Sequence, residues 1–169
     1  SGGKANNSGC IANGEARERA GTASASDMVN KGWCLLNAER PEEAAVAFGR
    51  GRGEDAAYGR ALALLRNGVT DEAAMAADGA PMSAKRRQDI GTQVLSQKIV
   101  AAQRSGQYHD ALRLLDQRAA YAPETRDLAM MRGWALYNVG RKDAARRVFT
   151  DLDRQLSTND TQSALAVVN

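Results

Sequence analysis

Apolar residues recur along most of this chain at intervals of three and four, with polar residues between them. Leu128, Met131, Ala135 and Leu136 mark one face, Ala144, Ala145, Val148 and Leu152 mark a second, and Gly140 stands between the two runs. Such spacing is the period of an amphipathic helix, and a glycine at the junction supplies the positive φ at which one helix closes before the next begins. Gly68 and Gly106 occupy the same place in two earlier stretches, each just ahead of a second apolar run. In the first stretch Pro41 takes the junction, where it suits the first turn of a helix because its missing N–H costs nothing there. No strands are predicted.

The pattern is also repeated. KGWCLLNAERPEEAAVAF begins at Lys31 and RGWALYNVGRKDAARRVF begins at Arg132; both carry Gly-Trp, a Leu two residues after the Trp, and Ala-x-x-x-Phe. Four small positions align, Ala44, Ala73, Ala111 and Ala145, at intervals of 29, 38 and 34, which together make 101, close to three periods of 34. A period of about 34 residues with small residues at fixed places marks an array of helix-turn-helix units. One such pair cannot bury its own apolar face, and stacking pairs in a row buries it.

These residues resemble the tetratricopeptide repeat. Its pattern is met by Gly32, Leu35, Ala44 and Phe48 in the first unit, and by Ala61, Leu64, Gly68 and Ala73 in the second, where Ala77 replaces the Phe. The third unit carries Gly106, Tyr108, Ala111, Leu115 and Pro123, with Ile99 where a small residue is usual; the fourth carries Gly133, Leu136, Gly140, Ala145 and Phe149. The Trp of the family pattern is missing throughout, since Trp33 and Trp134 stand just after the glycine. The resemblance covers roughly residues 26 to 155 and implies an all-α fold, a right-handed α–α superhelix of about four repeats. Residues 1–25 are expected to be an irregular segment with a short helix over 14–20, and residues 156–169 the start of a further repeat or a capping helix with Asn159 or Asp160 as its cap. SGGKANNSGC reads as a processed or cut start, so the lack of a leader says nothing about compartment.

Composition agrees with helices that approach closely. The chain is 43% hydrophobic but only 5% aromatic, and rich in alanine. A net charge of +3, with no dense basic stripe interleaved with aromatics, argues against nucleic acid; Lys85-Arg86-Arg87 and Arg146-Arg147 read as solvated helix faces. No apolar run reaches the roughly 18 residues that a membrane helix requires.

Catalytic chemistry finds no foothold. His109 is the single histidine and has no second histidine or carboxylate cluster to complete a zinc site. GRGRGED at 49–55 lacks the Lys-Ser/Thr ending of a phosphate loop and reads as an inter-repeat connection. Glu42 and Glu43 fall at a helix N-terminus, where carboxylates meet the helix dipole favourably. The expectation is a chain that is not an enzyme and has neither cofactor nor metal. Cys10 and Cys34 allow two readings, a disulfide in an oxidising compartment or a free thiol beside a small buried apolar residue.

What remains is the inner wall. In the family this chain resembles, the first helix of each pair lines a concave groove. By that alignment the wall comprises Val29, Trp33, Leu36 and Asn37, then Tyr58, Leu62, Leu65 and Arg66, then Val100, Gln103 and Arg104, and finally Met130, Trp134, Tyr137 and Asn138. Of these, Trp33, Asn37, Tyr58, Arg66, Arg104, Trp134, Tyr137 and Asn138 are the candidate partner-binding residues. Rings, amides and arginines suit peptides, and they also suit sugar polymers, whose apolar faces stack on Trp and Tyr. Alternatively, Trp33 and Trp134 simply pack against neighbouring helices. With Arg66 and Arg104 as its only cations, the wall departs from the lysine- and asparagine-rich clamp that some family members use for a terminal carboxylate.

AYGRALALLRNGVTDEA and LRLLDQRAAYAPETRDLAMMRGWALYNVGRKDAARRVF are similar to the periplasmic repeat regions of exopolysaccharide export proteins, such as those of cellulose synthesis. That resemblance implies a non-catalytic scaffold in a periplasmic assembly complex, with protein partners and possible contact with a polysaccharide. The alternatives are a cytoplasmic adaptor that captures a peptide, or the helical accessory region of an enzyme.

Overall fold

A computed structural model describes residues 3–169, and the regular structure among them is helical throughout. In chain order the helices are α1 (Gly3–Arg19), α2 (Ala25–Asn37), α3 (Pro41–Gly49), α4 (Glu54–Arg66), α5 (Thr70–Asp78), α6 (Ala84–Arg104), α7 (Tyr108–Ala119), α8 (Arg126–Asn138), α9 (Lys142–Gln155) and α10 (Asn159–Val168). They group into two compact units, Ser1–Val94 and Leu95–Asn169. The expected all-α class of paired helices is the observed one.

Each boundary has a local cause. Gly68, Gly106 and Gly140 adopt φ of 78°, 73° and 88° behind α4, α6 and α8, as their spacing predicts. Glu39, at φ 59°, takes the equivalent place behind α2, a conformation costly for a residue with a Cβ and invisible to a search for glycine. Pro41 opens α3 at its first turn. Ser24 caps α2 through a box in which its hydroxyl accepts from the Asp27 N–H and the Asp27 carboxylate accepts from the Ser24 N–H. Thr158, rather than Asn159 or Asp160, caps α10 in the same way, because its extended backbone aims the hydroxyl at the Thr161 N–H.

Unit 1 is built around Phe48. Its ring fills the space between α2 and α4, where a Cβ on Gly32 would lie 2.7 Å from it and a Cβ on Gly59 2.4 Å. Both glycines are therefore required by close approach. Leu35, Leu36, Ala44, Ala47 and Ala63 complete this cluster, and a second joins Ala61, Leu64, Leu65, Ala73 and Ala77 to Ile90 and Val94 of α6. In unit 2 the rest of α6 contributes Ile99 and Ala102 to a core with Ala111, Leu115, Leu128 and Ala135. Phe149 repeats the role of Phe48, with a Cβ on Gly133 placed 2.4 Å from its ring. Ala145, Ala164 and Val168 are fully buried around it, so α10 packs against this cluster.

The uneven intervals now have an explanation. α3 spans 9 residues where α9 spans 14, a difference of five, and the first interval falls five short of the period. α5 is equally short, but α6 runs 21 residues where α2, α4 and α8 run 13, which lengthens the second interval.

The N-terminal segment departs from expectation. In place of an irregular stretch with a helix over 14–20, α1 extends from Gly3 to Arg19. Ile11 is buried in the first core cluster, Cys10 forms a disulfide with Cys34 of α2, and Gly14 packs against the stem of Lys31. Glu18 then accepts from both Lys31 and Arg50, which ties α1 to α2 and to the end of α3, and Arg17 pairs with Asp27 at 2.8 Å. The Lys31 hydrogen bond, with the charges of Lys31 and Arg50, holds the Glu18 carboxyl below its ordinary range despite partial burial.

Candidate functional site

The eight candidate residues divide equally between the units, and the two sets behave differently. In unit 1, α2 presents Trp33 and α4 presents Tyr58, with ring centroids 6.4 Å apart. The indole also meets Phe48 edge-on at 4.9 Å. The phenol donates to the Asp89 carboxylate of α6, while the Arg86 guanidinium lies 4.7 Å above its ring and reaches Asp55 at 2.7 Å. The bond to Asp89, burial and the Asp89 charge together push the Tyr58 phenol up, with Arg86 pulling the other way. Trp33 and Tyr58 are thus engaged with each other and with a charged network of their own unit. Arg66 donates to the Leu36 carbonyl at 3.2 Å, tying the end of α4 to the end of α2, where Asn37 stands exposed.

Two further residues of the expected wall belong to the core. Leu36 is 1% exposed and Leu65 2%, each buried between its own helix and the neighbouring ones. Both lie on the helix face that meets the core clusters, and this carries them away from the wall.

In unit 2, α8 holds Trp134 and Tyr137 with ring centroids 6.0 Å apart, edge to face, and Trp134 meets Phe149 at 5.0 Å. The alternative that both tryptophans pack on neighbouring helices is therefore met in part, since each touches a core Phe yet keeps part of its ring exposed. Asn138 donates back to the Trp134 carbonyl at 2.8 Å, and Arg104 stands exposed in the last turn of α6, joined to none of the other three. Gln103 is half-buried and donates to the Met131 carbonyl of α8, so it ties two helices together. Its Oε1 is buried without a partner.

Beside Trp134 lies an open groove of about 450 Å³ between α8 and α10, lined by Asp127, Met130, Met131, Trp134, Asp160 and Ser163. That size suits a few side chains of a partner. Arginines hold its frame in place. Arg126 donates to the carbonyls of Leu152 and Leu156 and so closes the end of α9, where the helix leaves acceptors unpaired. Arg132 bridges Glu124 and Asp116 at 2.8 and 2.7 Å; burial opposes its charge, the two acids more than offset that, and its pKa rises. Arg118, itself buried, donates to Ser96 and to the Pro123 carbonyl. Sequence reasoning missed this set, because an arginine on a helix carries no sign of the backbone carbonyl it will reach.

Among the described residues no group of three or more His, Cys, Asp or Glu is placed to hold a metal ion, and no helix is long and apolar enough to cross a membrane. Residues 97–160 match the family model of the tetratricopeptide repeat, a stretch that includes α7, α8, α9 and most of the groove. No curated protein and no solved structure matches the chain.

Proposed function

We propose that this chain is a non-catalytic repeat scaffold that holds a protein partner against the α8–α10 face. One observation carries this reading: Trp134, half-buried and braced by Tyr137 and Phe149 much as Trp33 is by Tyr58 and Phe48, lines an open groove together with Met130 and Met131. Rigid rings supply contact area at little entropic cost, and methionines adapt to the shape they meet. The family match over residues 97–160 supports it, because tetratricopeptide repeats commonly serve protein–protein association.

The finer form of the proposal sets this scaffold in the periplasm, within an exopolysaccharide synthesis and export complex such as that for cellulose. Its supports are the resemblance of the repeat phrases and the Cys10–Cys34 disulfide, a bond that persists in oxidising compartments. A photo-crosslinking amino acid placed at Tyr137 in cells tests the scaffold reading. A discrete protein adduct is expected there and none from the same group at Trp33. The reverse pattern, or no adduct from either position, would overturn the assignment.

A further inference from the structure

The groove on unit 2 has a chemical bias that narrows its partner. Its floor is apolar, from Met130, Met131 and Trp134, and its only charged lining residues are Asp127 and Asp160. Neither carboxylate has a hydrogen bond or ion pair within the described residues, and both are exposed. Arg126 is not among the lining residues: it keeps its charge but directs its guanidinium to the carbonyls of Leu152 and Leu156 and the hydroxyl of Thr158 rather than to either carboxylate. Asp127 lies in the first turn of α8 and Asp160 in that of α10, where the helix dipole favours an acid. The dipole offsets only about half a unit charge at each end, so the lining carboxylates, taken with their own helix ends, leave the groove surface itself negative, with Arg126 the cation behind it. The rest of the molecule makes this notable, because the chain as a whole carries +3.

From this geometry we infer that the groove docks a peptide segment bearing a bulky apolar side chain flanked by Lys or Arg. The inference rests on the scaffold reading and names the partner class. The apolar side chain enters between Met130, Met131 and Trp134, and the flanking cations lie against Asp127 and Asp160. Ser163 adds a hydroxyl for the peptide backbone. A sugar polymer fits less well. Stacking on a sugar needs a free flat ring face, whereas the Trp134 ring already has Tyr137 on one contact and Phe149 on another, and two thioether side chains offer no hydrogen bonds of consequence to hydroxyls.

Fluorescence anisotropy with defined probes tests the inference. One labelled peptide carries a central Leu flanked on each side by Lys in a Ser/Gly background, and a second replaces the Lys with Glu. The Lys peptide is expected to bind the full chain at least about tenfold more tightly than the Glu peptide, a gap that narrows as salt rises. Asp160→Asn, a surface change that leaves the core untouched, should weaken the Lys peptide by up to about fivefold while leaving the Glu peptide unharmed. Trp134→Ala should weaken both peptides. Equal binding of the two peptides would overturn the charge assignment yet leave the scaffold reading standing on its crosslink. Binding of neither, or displacement of the Lys peptide by a soluble cello-oligosaccharide, would overturn the docking inference itself.

Discussion

Three glycine–phenylalanine contacts set the packing. Phe48 lies so close to Gly32 and Gly59, and Phe149 so close to Gly133, that any Cβ would enter the ring. Gly133→Ala should therefore destabilise the protein by about 1–3 kcal/mol through overpacking, read as a shift in the urea midpoint. An unchanged midpoint would mean that the ring can move aside and that the contact does not hold the pair together. Gly32, Gly133 and the two phenylalanines were legible beforehand, because Gly-Trp and Ala-x-x-x-Phe recur with the same internal spacing at both ends of the array, whereas Gly59 lies outside both motifs. The fates of Leu36 and Leu65 were not. On a helix of 13 residues, one position of rotation separates wall from core, and an alignment does not resolve which way a given leucine turns.

At the scale of elements, the helices with a repeated apolar period were readable, and α1 was not. GKANNSGCIANGEARER has no apolar stripe, and its attachment comes from one isoleucine, one disulfide and a set of ion pairs with α2 and the end of α3. The disulfide closes a loop of 24 residues, for which chain entropy suggests a contribution of about 2–4 kcal/mol. Replacing Cys34 with Ser should lower the melting temperature and make the amides of α1 exchange faster, while those of α8 and α9 keep their protection. If α1 remained as protected as α8, the ion pairs and Ile11 alone would account for its docking. The length of α6 was equally hidden: its extra residues look like drift in the repeat interval until the shortness of α3 and α5 is known.

Within each unit, helices pack to bury apolar faces that none can bury alone, and the proposed partner site lies on one face of unit 2. In unit 1 the ring beside Trp33 is Tyr58, itself held by Asp89 and Arg86, whereas in unit 2 Trp134, braced by Tyr137 and Phe149, lines a groove edged by two acids. The five methionines make this difference measurable. Methyl-labelled methionine spectra, recorded as the Lys-flanked peptide is added, should show shifts at Met130 and Met131 and at the Trp134 indole. Met28, buried in unit 1, and Met75, 72% exposed and hence a monitor of non-specific association, should stay in place. Shifts at Met75 and the Trp33 indole, with Met130 and Met131 unmoved, would contradict the account.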